Sequence, residues 1–512
     1  MLRIFIVFVI VFFGTGGMAQ PINILVSNAN KPEEPTICID PKDPMRVVAA
    51  ANINNLYLSK DGGVSWSYQK ATSTLGVWGD PTIVSDQEGN FYYFHLSNPA
   101  NGSWIDRIVC QKSTDGGETW SDGVGIGKNG TKAQDKQWAV VDDDGNIYLT
   151  WTQFDKYGSR NPMDSTIIRF SKSTDKGETW STPLRLSEKA GNCIDSSLTT
   201  EGAVPTIGPN GEVYVSWAGP AGLTFDKSLD GGTTWLPNDI MIDSLKAGWN
   251  YQVPGINRCN GLPVTTCDRS GGVHNGTIYV NWSDQRNGLD NTDIWLAKSV
   301  DGGQNWSPPI RVNDDTSKRH QFLTWMTVDQ STGYLYFVFY DRRRTQGIET
   351  EVFGALSKDG GETFQNFIIS ESPFVPNDSE FFGDYTNISA VNGKVMPIWA
   401  RLDNKKLSIW TADLFSTLGQ SEPVNEVEGV VAFPNPASGW TNVRFKVKNE
   451  ELVSYRILSS DGKELLNYPA DTFVKGSHEI RIPLDVFDAP GRYICELHIG
   501  SKIINKKIIV RD

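Results

Sequence analysis

The sequence predicts an all-β protein: a β-propeller, in which small sheets are arranged radially, followed by a small β-sandwich. Three observations indicate this: a hairpin motif that occurs six times, a strand pair that precedes each copy, and a change of pattern after Phe415. The aspartates of the motif lie 54 to 71 residues apart. A repeat of this length that is built from strands rather than helices is typical of a radial array of sheets.

The repeated motif is Ser-x-Asp-x-Gly-x-Thr-Trp, first seen at Ser59–Trp66 and last at Ser357–Phe364. Its Asp can accept hydrogen bonds from its own turn, its Gly allows a positive φ, and its Trp can wedge between sheets. Residues 21–415 thereby resemble the Asp-box propellers of the sialidase-like superfamily. The resemblance implies a structural, not catalytic, role for the box aspartates, which are Asp61, Asp115, Asp175, Asp230, Asp301 and Asp359.

The strand pair that precedes each box starts seven times, from Thr36–Ile39 to Tyr385–Ala390, although there are only six boxes. The last unit lacks an outer strand, and Ile22–Val26 near the N-terminus can supply it. Borrowing a strand across the chain ends closes the ring and removes an exposed edge. The count favours seven blades, and six, the number in enzymatic sialidases, is the alternative.

If strands alternate in direction from the axis outward, the first strands start and the second strands end on the face opposite the boxes. The side chains predicted to meet there are Asp80, Asp135, Trp138, Glu201, Asn260, Trp325, Asp384 and Tyr385 at the starts, and Asp284, Arg286, Asp341, Arg342, Arg343 and Arg401 at the ends. We call this face of the ring the mouth. Acids, arginines and aromatics that meet at the mouth suit a polar, hydroxylated ligand.

The sialidase resemblance implies roles for some of these residues. Tyr385 corresponds to the nucleophile, Glu201 to its activator, and Asp80 or Asp135 to the acid. Arg286, Arg342 and Arg401 are the arginines that would grip a carboxylate, with Trp138 and Trp325 as sugar contacts. The first repeat reads Glu34-Pro35-Thr36-Ile37 where a sialidase carries its first arginine. The absence of that arginine argues against sialic acid as the substrate.

Each of these residues also has an ordinary structural explanation. Tyr385 can be a rim aromatic, Glu201 and Asp135 can cap loops, and Asp80 can initiate its strand. Arg286 and Arg342 can pair with Asp284 and Asp341, and Trp78, Trp138 and Trp325 can fill the channel. An acid-ringed mouth could hold Ca²⁺, but there is no EF-hand loop and no Cys/His metal spacing. The sequence therefore predicts no metal and no cofactor.

The composition and the N-terminus describe an exported protein. The net charge of −13 over 512 residues excludes a nucleic-acid partner. Arg3, an apolar run over residues 4–13 and the small residues Gly17 and Ala19 predict a signal peptide at 1–19, and no transmembrane anchor is predicted. Cys193 and Cys259 are the preferred disulfide pair, and the other cysteines are predicted to be buried thiols.

The predicted propeller covers residues 20–415 and is followed by a linker at 416–428 and an all-β unit at 429–512. Phe433-Pro434-Asn435-Pro436, the Asp461-Gly462-Lys463 turn, Pro490-Gly491-Arg492-Tyr493 and a basic last strand resemble, as a set, the type IX secretion sorting domain of Bacteroidota. That resemblance implies passage through the type IX machinery to the cell surface. An unrelated carbohydrate-binding sandwich is the alternative.

Two functions follow from this sequence. One is a glycoside hydrolase-like protein that acts on glycans at the cell surface or outside the cell. The other is a non-catalytic surface propeller that binds carbohydrate or protein through the same mouth. Propellers host both, so the sequence leaves the enzyme question open.

Overall fold

The computed structural model describes residues 20–414, 431–438, 440–447, 449–459, 463–500 and 502–510. The predicted signal peptide and the predicted linker lie outside the described residues. The chain divides into two compact units, residues 1–420 and 421–512. In the described ranges the only helical element is a 3₁₀ turn, Leu484–Val486, so both units are built from strands.

The N-terminal unit contains β1 (Asn23–Ser27), β2 (Thr36–Ile39), β3 (Val47–Ala51), β4 (Asn55–Ser59), β5 (Ser67–Lys70), β6 (Thr82–Ser85), β7 (Phe91–Leu96), β8 (Ile108–Ser113), β9 (Val124–Ile126), β10 (Ala133–Val141), β11 (Ile147–Phe154), β12 (Thr166–Ser173), β13 (Leu184–Arg185), β14 (Glu201–Ile207), β15 (Val213–Gly219), β16 (Gly222–Ser228), β17 (Ile240–Asp243), β18 (Asn250–Tyr251), β19 (Cys259–Asn260), β20 (Val264–Cys267), β21 (Ile278–Asp284), β22 (Asp293–Ser299), β23 (Ile310–Arg311), β24 (Gln321–Asp329), β25 (Tyr334–Asp341), β26 (Glu351–Ser357), β27 (Gln365–Ile368), β28 (Asn387–Val391), β29 (Lys394–Asp403) and β30 (Lys406–Ala412).

These strands form seven four-stranded sheets and one small ribbon, β18–β19. In chain order the sheets are β2–β5, β6–β9, β10–β13, β14–β17, β20–β23 and β24–β27, and the seventh is β28–β30 with β1. The first strand of each sheet, called the inner strand, packs against the inner strands of the two neighbouring sheets, and β28 packs against β2. The sheets therefore form a closed ring.

The ring is closed by a strand from the other end of the chain. β1 pairs antiparallel with β30, so that Asn23 lies opposite Ala412. This confirms the borrowed outer strand, which the sequence predicted at Ile22–Val26 and the structure places one residue later. Because β1 pairs along the outer side of β30, the last sheet has four strands like the others and β30 is not left as an unpaired edge.

Each box is a hydrogen-bonded turn at the end of the third strand of its sheet. In the sixth sheet the Ser357 hydroxyl donates to Asp359 Oδ1 at 2.8 Å and accepts from Gly361 N at 2.8 Å. Asp359 Oδ1 also accepts from the backbone N–H groups of Glu362 and Thr363 at 3.1 and 3.0 Å. The Thr363 hydroxyl donates to Asp359 Oδ2. The box carboxylates thus accept hydrogen bonds within their own turns, as the motif predicted.

The box aromatic and the second glycine of the box fasten neighbouring sheets together. Trp235 of the fourth sheet contacts Phe170 of the third at a ring separation of 4.8 Å, and Trp306 contacts Phe225 of the preceding sheet at 5.1 Å. A Cβ on Gly232 would lie 2.4 Å from the Phe170 ring. Glycine is therefore required at this close approach between sheets.

All six cysteines are free and buried, so the predicted Cys193–Cys259 disulfide is wrong. Cys193 packs with Trp151 and Phe154, whereas Cys259 belongs to a different core cluster, which contains Tyr251. Burial raises the pKa of the Cys259 thiol to about 12. The sequence places both residues in loops that lead into consecutive repeats, which favours pairing, but each side chain is buried in its own core.

The C-terminal unit contains β31 (Val431–Ser438), β32 (Trp440–Val447), β33 (Glu451–Ser459), β34 (Glu464–Phe473), β35 (Gly476–Pro483), β36 (Gly491–Ile499) and β37 (Lys502–Val510). One antiparallel group is β31-β32-β35 and the other is β34-β33-β36-β37, joined where Ala437 pairs in parallel with Val510. Phe445, Ile457, Cys495 and Ile508 share one core between the two groups. The unit is a small β-sandwich, as predicted.

We expect Asp359→Ala to lower the free energy of unfolding by about 1 kcal/mol, the usual effect of losing a partly exposed capping side chain. Urea unfolding measures this change. Asp144→Ala is the control, because that exposed carboxylate makes no hydrogen bond within the described residues. An equal loss of stability in both variants would contradict the role of Asp359 in stabilising its turn.

The same carboxylate predicts an acid-sensitive contribution to stability. Burial raises the pKa of Asp359, but hydrogen bonds from Thr363 and Ser357 outweigh it and lower the pKa to about 2. Because the folded-state pKa lies below the ordinary value of 3.8, its stabilisation is present above that value and is lost as the pH falls toward about 2. The stability difference from Asp359→Ala should therefore shrink across this range.

Candidate active site at the mouth of the ring

Several inner strands have a residue with a positive φ near the strand start. These residues are Glu34 (52°), Asp80 (52°), Lys136 (50°), Gly202 (76°) and Leu323 (49°). In β10, β14 and β24 the residue lies within a bulge, where the pairing register to the second strand shifts. Non-glycine residues adopt this conformation at a cost of about 1 kcal/mol or more, and such strain is concentrated at functional sites.

Lys136 lies at the centre of the mouth and joins three other sheets. Its Nζ is 2.6 Å from Asp384 Oδ2, 3.6 Å from Asp80 Oδ2 and 4.0 Å from Glu34 Oε1. Burial lowers the pKa of the Lys136 ammonium, but Asp384 and Asp80 outweigh it and raise the pKa well above its ordinary value. Lys136 is therefore a buried cation whose charge is held by carboxylates of the second, first and seventh sheets.

Arg258, at the end of the segment between β18 and β19, is the second cation. Its Nε donates to Asp384 Oδ1 at 2.9 Å, a second nitrogen donates to Asp384 Oδ2, and Nη1 donates to Asp195 Oδ2 at 2.9 Å. Burial opposes ionisation of Asp384, but Lys136 and Arg258 together hold its pKa well below the ordinary range. Asp384 is thus an ionised carboxylate in the described mouth.

Other carboxyl groups of the mouth are kept protonated. Burial, with the charge of Asp80 nearby, raises the pKa of Asp135 to about 8. The same two causes raise the pKa of Glu33 to about 8. Burial and Asp195 raise the pKa of Glu201 well above its ordinary value. Neighbouring carboxyls with pKa values moved in opposite directions are what acid–base chemistry needs.

Tyr385, Trp138 and Trp325 form an aromatic plug across the axis. The Trp138 and Trp325 rings are 4.3 Å apart and Tyr385 is 5.0 Å from Trp138. On the mouth side of the plug is a cavity of only about 20 Å³, beside Lys136 and Asp384. On the box side, a channel of about 320 Å³ is lined by the inner strands. The two tryptophans pack against each other, which is the structural alternative the sequence offered for them.

The predicted pairing of Tyr385 with Glu201 is not formed. No hydrogen bond joins the two side chains, and the charged groups that act on Tyr385 are Glu34, Asp80, Lys136 and Glu33. Burial, and then Glu34, raise the pKa of the Tyr385 hydroxyl well above its ordinary value. Glu201 instead lies among Asp195, Lys136, Asp135 and Arg258. The two residues share the mouth but have different neighbours.

The three predicted gripping arginines are held by other parts of the protein. Arg286 binds Asp284 and Asp243, and Arg401 binds Asp403 and the carbonyl of Ser372. Arg342 donates to the Pro254 carbonyl and the Thr350 hydroxyl. Asp341, the partner proposed for Arg342, binds Arg343 instead.

These contacts do not support the prediction that the arginines grip a ligand, which stays a prediction. None of the three lines the cavity beside Tyr385, and each is engaged by its own neighbourhood. A carboxylate ligand would have to displace these existing partners.

Beside the carboxyls lies a row of aromatic side chains that we call the aromatic shelf: Trp78, Trp104 and Tyr157. Trp78 and Trp104 are 38% and 44% exposed, and their rings are 6.3 Å apart. Trp104 is 5.6 Å from Tyr157, whose hydroxyl donates to Asp195 Oδ2 at 3.4 Å. The shelf thus runs from solvent to the edge of the carboxyl cluster.

Sequence reasoning placed Asp80, Asp135, Glu201, Asp384 and Tyr385 at this mouth, and the contacts above bring them together. It did not predict that Glu34 belongs to the mouth, nor that the mouth also contains Lys136, Arg258, Asp195 and Glu33. Lys136 follows Asp135 in what reads as an alternating strand, so the pattern predicts opposite faces for the two. The polar run at residues 134–137, just before the apolar part of the inner strand, was the available signal.

Among the residues that the structure describes, no group of three or more His, Cys, Asp or Glu side chains is arranged to hold a metal ion. Four carboxyls of the mouth form ion pairs with Lys136 or Arg258: Glu34, Asp80, Asp195 and Asp384. Within the same residues no helix is long and apolar enough to cross a membrane.

Comparison with known proteins identifies the C-terminal unit. Residues 431–511 match the family model described as a secretion system C-terminal sorting domain. The protein is accordingly exported through type IX secretion to the cell surface or the extracellular space. No curated protein matches the chain.

Solved structures similar to the chain include enzymes of several activities. An ulvan lyase shares 15% identity with a TM-score of 0.45 over 77% of this chain and 93% of its own. A sialidase of Streptococcus pneumoniae shares 10% at 0.44 over 73% and 84%. An α-L-arabinanase of Penicillium chrysogenum shares 13% at 0.42 over 77% and 99%. Likeness at this level assigns no activity to this chain.

We expect Lys136→Met to lower the free energy of unfolding by about 3–5 kcal/mol at about pH 8, because it leaves buried carboxylates without their cation. The loss should be smaller at about pH 5. Without the lysine the pKa values of the nearby carboxyls rise, so at this pH they take up protons and lose the charge that destabilises the variant. Urea unfolding at both pH values measures it. Lys60→Met, which removes an exposed partner of Glu118, is the control. A loss no larger than that of the control would contradict the central role of Lys136.

Proposed function

We propose that this exported propeller is a glycoside hydrolase whose proton donor is Asp135. The observation that supports the proposal is the arrangement of Asp80 and Asp135 around Lys136, whose Nζ is 3.6 Å from Asp80 and whose backbone N–H donates to Asp135 Oδ1. Burial and the nearby Asp80 raise the pKa of Asp135 to about 8. A carboxylic acid that stays protonated at neutral pH is the group that glycoside cleavage needs at the leaving oxygen.

Asp135 and Asp80 can together supply the proton that the cleavage needs and recover a proton afterwards. Asp135 transfers its proton to the glycosidic oxygen as the bond from that oxygen to the anomeric carbon breaks. Water adds to the anomeric carbon, and the proton that water loses returns to the Asp80–Asp135 pair. Lys136, 3.6 Å from Asp80, stabilises the pair while both carboxyls are ionised. The positive φ of Asp80 and Lys136 positions the three groups for this work.

The aromatic shelf provides the place for the sugar, since exposed tryptophan faces are suited to stacking on pyranose rings. The cavity beside Tyr385 is too small for a sugar ring, so the substrate lies across the mouth rather than within the axis. In this proposal Tyr385 is part of the plug, because its raised pKa makes it a poor nucleophile.

A second function, carbohydrate binding without catalysis, is favoured by one specific observation. Arg286, Arg342 and Arg401 are all engaged by protein partners, and most carboxyls of the mouth are buried. A binding protein would use the aromatic shelf and leave the carboxyl pair as structural support.

The leaving group separates the two functions. We expect Asp135→Asn to lower kcat/KM at least about 100-fold on oligosaccharides, whose leaving oxygen needs a proton, and less than about tenfold on dinitrophenyl glycosides, which leave unassisted. Steady-state kinetics of the full exported chain on both substrate classes measures this. Asp144→Asn is the matched control. Equal losses on both classes would refute the donor role, and no turnover by the unmodified chain on any glycoside would leave binding as the function.

The pH profile tests the same proton independently. Because Asp135 acts in its protonated form, kcat/KM should be constant below about pH 8 and fall as the pH rises through that value. Lys136 lowers the pKa of Asp135, so the alkaline limb should move upward in Lys136→Met. A limb that stays in place in this variant would contradict the assignment.

A further inference from the structure

The mouth carries an excess of carboxyl groups over cations. The carboxyls are Glu33, Glu34, Asp80, Asp135, Asp195, Glu201 and Asp384, and the cations that act on them are Lys136 and Arg258. Both cations already bind Asp384. No free cation therefore remains among these described groups to receive a negatively charged sugar.

One carboxyl oxygen of this cluster, on Glu201, is buried and has no hydrogen-bond donor. Glu201 is 1% exposed, and its Oε2 has no hydrogen-bond partner. A buried polar oxygen without a partner destabilises the fold, so its retention calls for an explanation. Asp195, which acts on Glu201 and has a side chain 21% exposed, connects it to solvent.

The aromatic shelf ends at this carboxyl edge. Tyr157 binds Asp195 through its hydroxyl, and its pKa is raised by burial and by the charges of Asp135, Asp195 and Glu201. The exposed rings of Trp78 and Trp104 continue from Tyr157 toward solvent. A ligand on the shelf therefore meets tryptophan faces on one side and carboxyls on the other.

We propose that the aromatic shelf and the adjoining Asp195–Glu201 edge form a binding site for glycans that carry free amino groups. The inference takes from the proposed function that the ligand is a glycan, and it adds the charge of that glycan. An ammonium group donates hydrogen bonds to carboxyl oxygens, which the Asp195–Glu201 edge offers, and is attracted to tryptophan faces, which the shelf offers. Its positive charge also favours the ionised form of Glu201, which burial and Asp195 oppose.

Alternative ligands fit less well. A sulfated or uronic sugar would bring negative charge to a cluster without a free cation, which is repulsive. A neutral sugar would use the stacking surface but leave Glu201 without a donor of matching charge. A metal ion needs several oxygens around one point, and the described carboxyls are not arranged in that way.

The test is a comparison of three oligosaccharides of equal length: a glucosamine oligomer, its N-acetylated form and an oligogalacturonate. Calorimetry with the full exported chain at about pH 6, below the ordinary pKa of an amino group, measures binding. We expect the glucosamine oligomer to bind about tenfold or more tightly than the N-acetylated form, a difference expected from one cation–π and carboxylate contact. The oligogalacturonate should not bind.

Variants locate the site. Trp104→Ala should weaken both the amino and the N-acetylated oligomer, because both stack on the shelf. Glu201→Gln, which keeps the shape of the side chain, should remove the preference for the amine and leave the N-acetylated affinity unchanged. Controls are Tyr68→Ala, an exposed aromatic on β5, and Asp144→Asn. Circular dichroism of each variant verifies its fold.

Equal affinities for the amino and N-acetylated oligomers, or tighter binding of the oligogalacturonate, would overturn the inference. So would an amine preference that survives Glu201→Gln. Binding and turnover are separate readouts, so the two proposals fail separately. A chain that binds the amine and cleaves nothing refutes the hydrolase alone, whereas cleavage of glycosides without an amine preference refutes the amine site alone.

Discussion

The antiparallel pairing of β1 with β30 is the contact on which the rest of the N-terminal unit depends. It brings the two ends of the ring together, and with them residues far apart in the chain. The backbone N–H of Asp384 donates to Glu34 Oε1 at 3.1 Å, although 350 positions separate the two residues. Lys136, from the third sheet, reaches both of them. Without a closed ring these charges would not share one mouth.

The mouth also shows how backbone strain and charge support each other. A positive φ at Asp80 and Lys136 turns each strand entrance out of regular geometry, which alone is unfavourable. The ion pairs among Lys136, Asp80 and Asp384 offset part of that strain. In the reverse direction, the strained backbone keeps carboxyls close enough to move the pKa of Asp135 upward. Residues at the starts of four different sheets contribute to these contacts, so the geometry of the site depends on the closed ring.

The sequence predicted the fold well because each box is formed by residues that are consecutive in the chain. Asp359 and Ser357 satisfy their own turn, so their role is visible in eight consecutive residues. The site could be predicted only in part. Asp80, Asp135 and Glu201 were placed correctly because they begin inner strands. Lys136 and Arg258 were missed, because a bulge and a loop between two short strands decide where their charges lie. Those features depend on contacts between sheets that periodicity does not encode.

The free thiols have a consequence for how the protein matures. Export usually exposes a chain to oxidants, yet Cys38, Cys193 and Cys259 are enclosed in separate cores. Burial raises the pKa of Cys38 to about 12, so the nucleophilic thiolate is scarce at any physiological pH. The ring is closed by strand pairing rather than by a covalent bridge. Closure of the ring therefore does not depend on the formation of a disulfide bond.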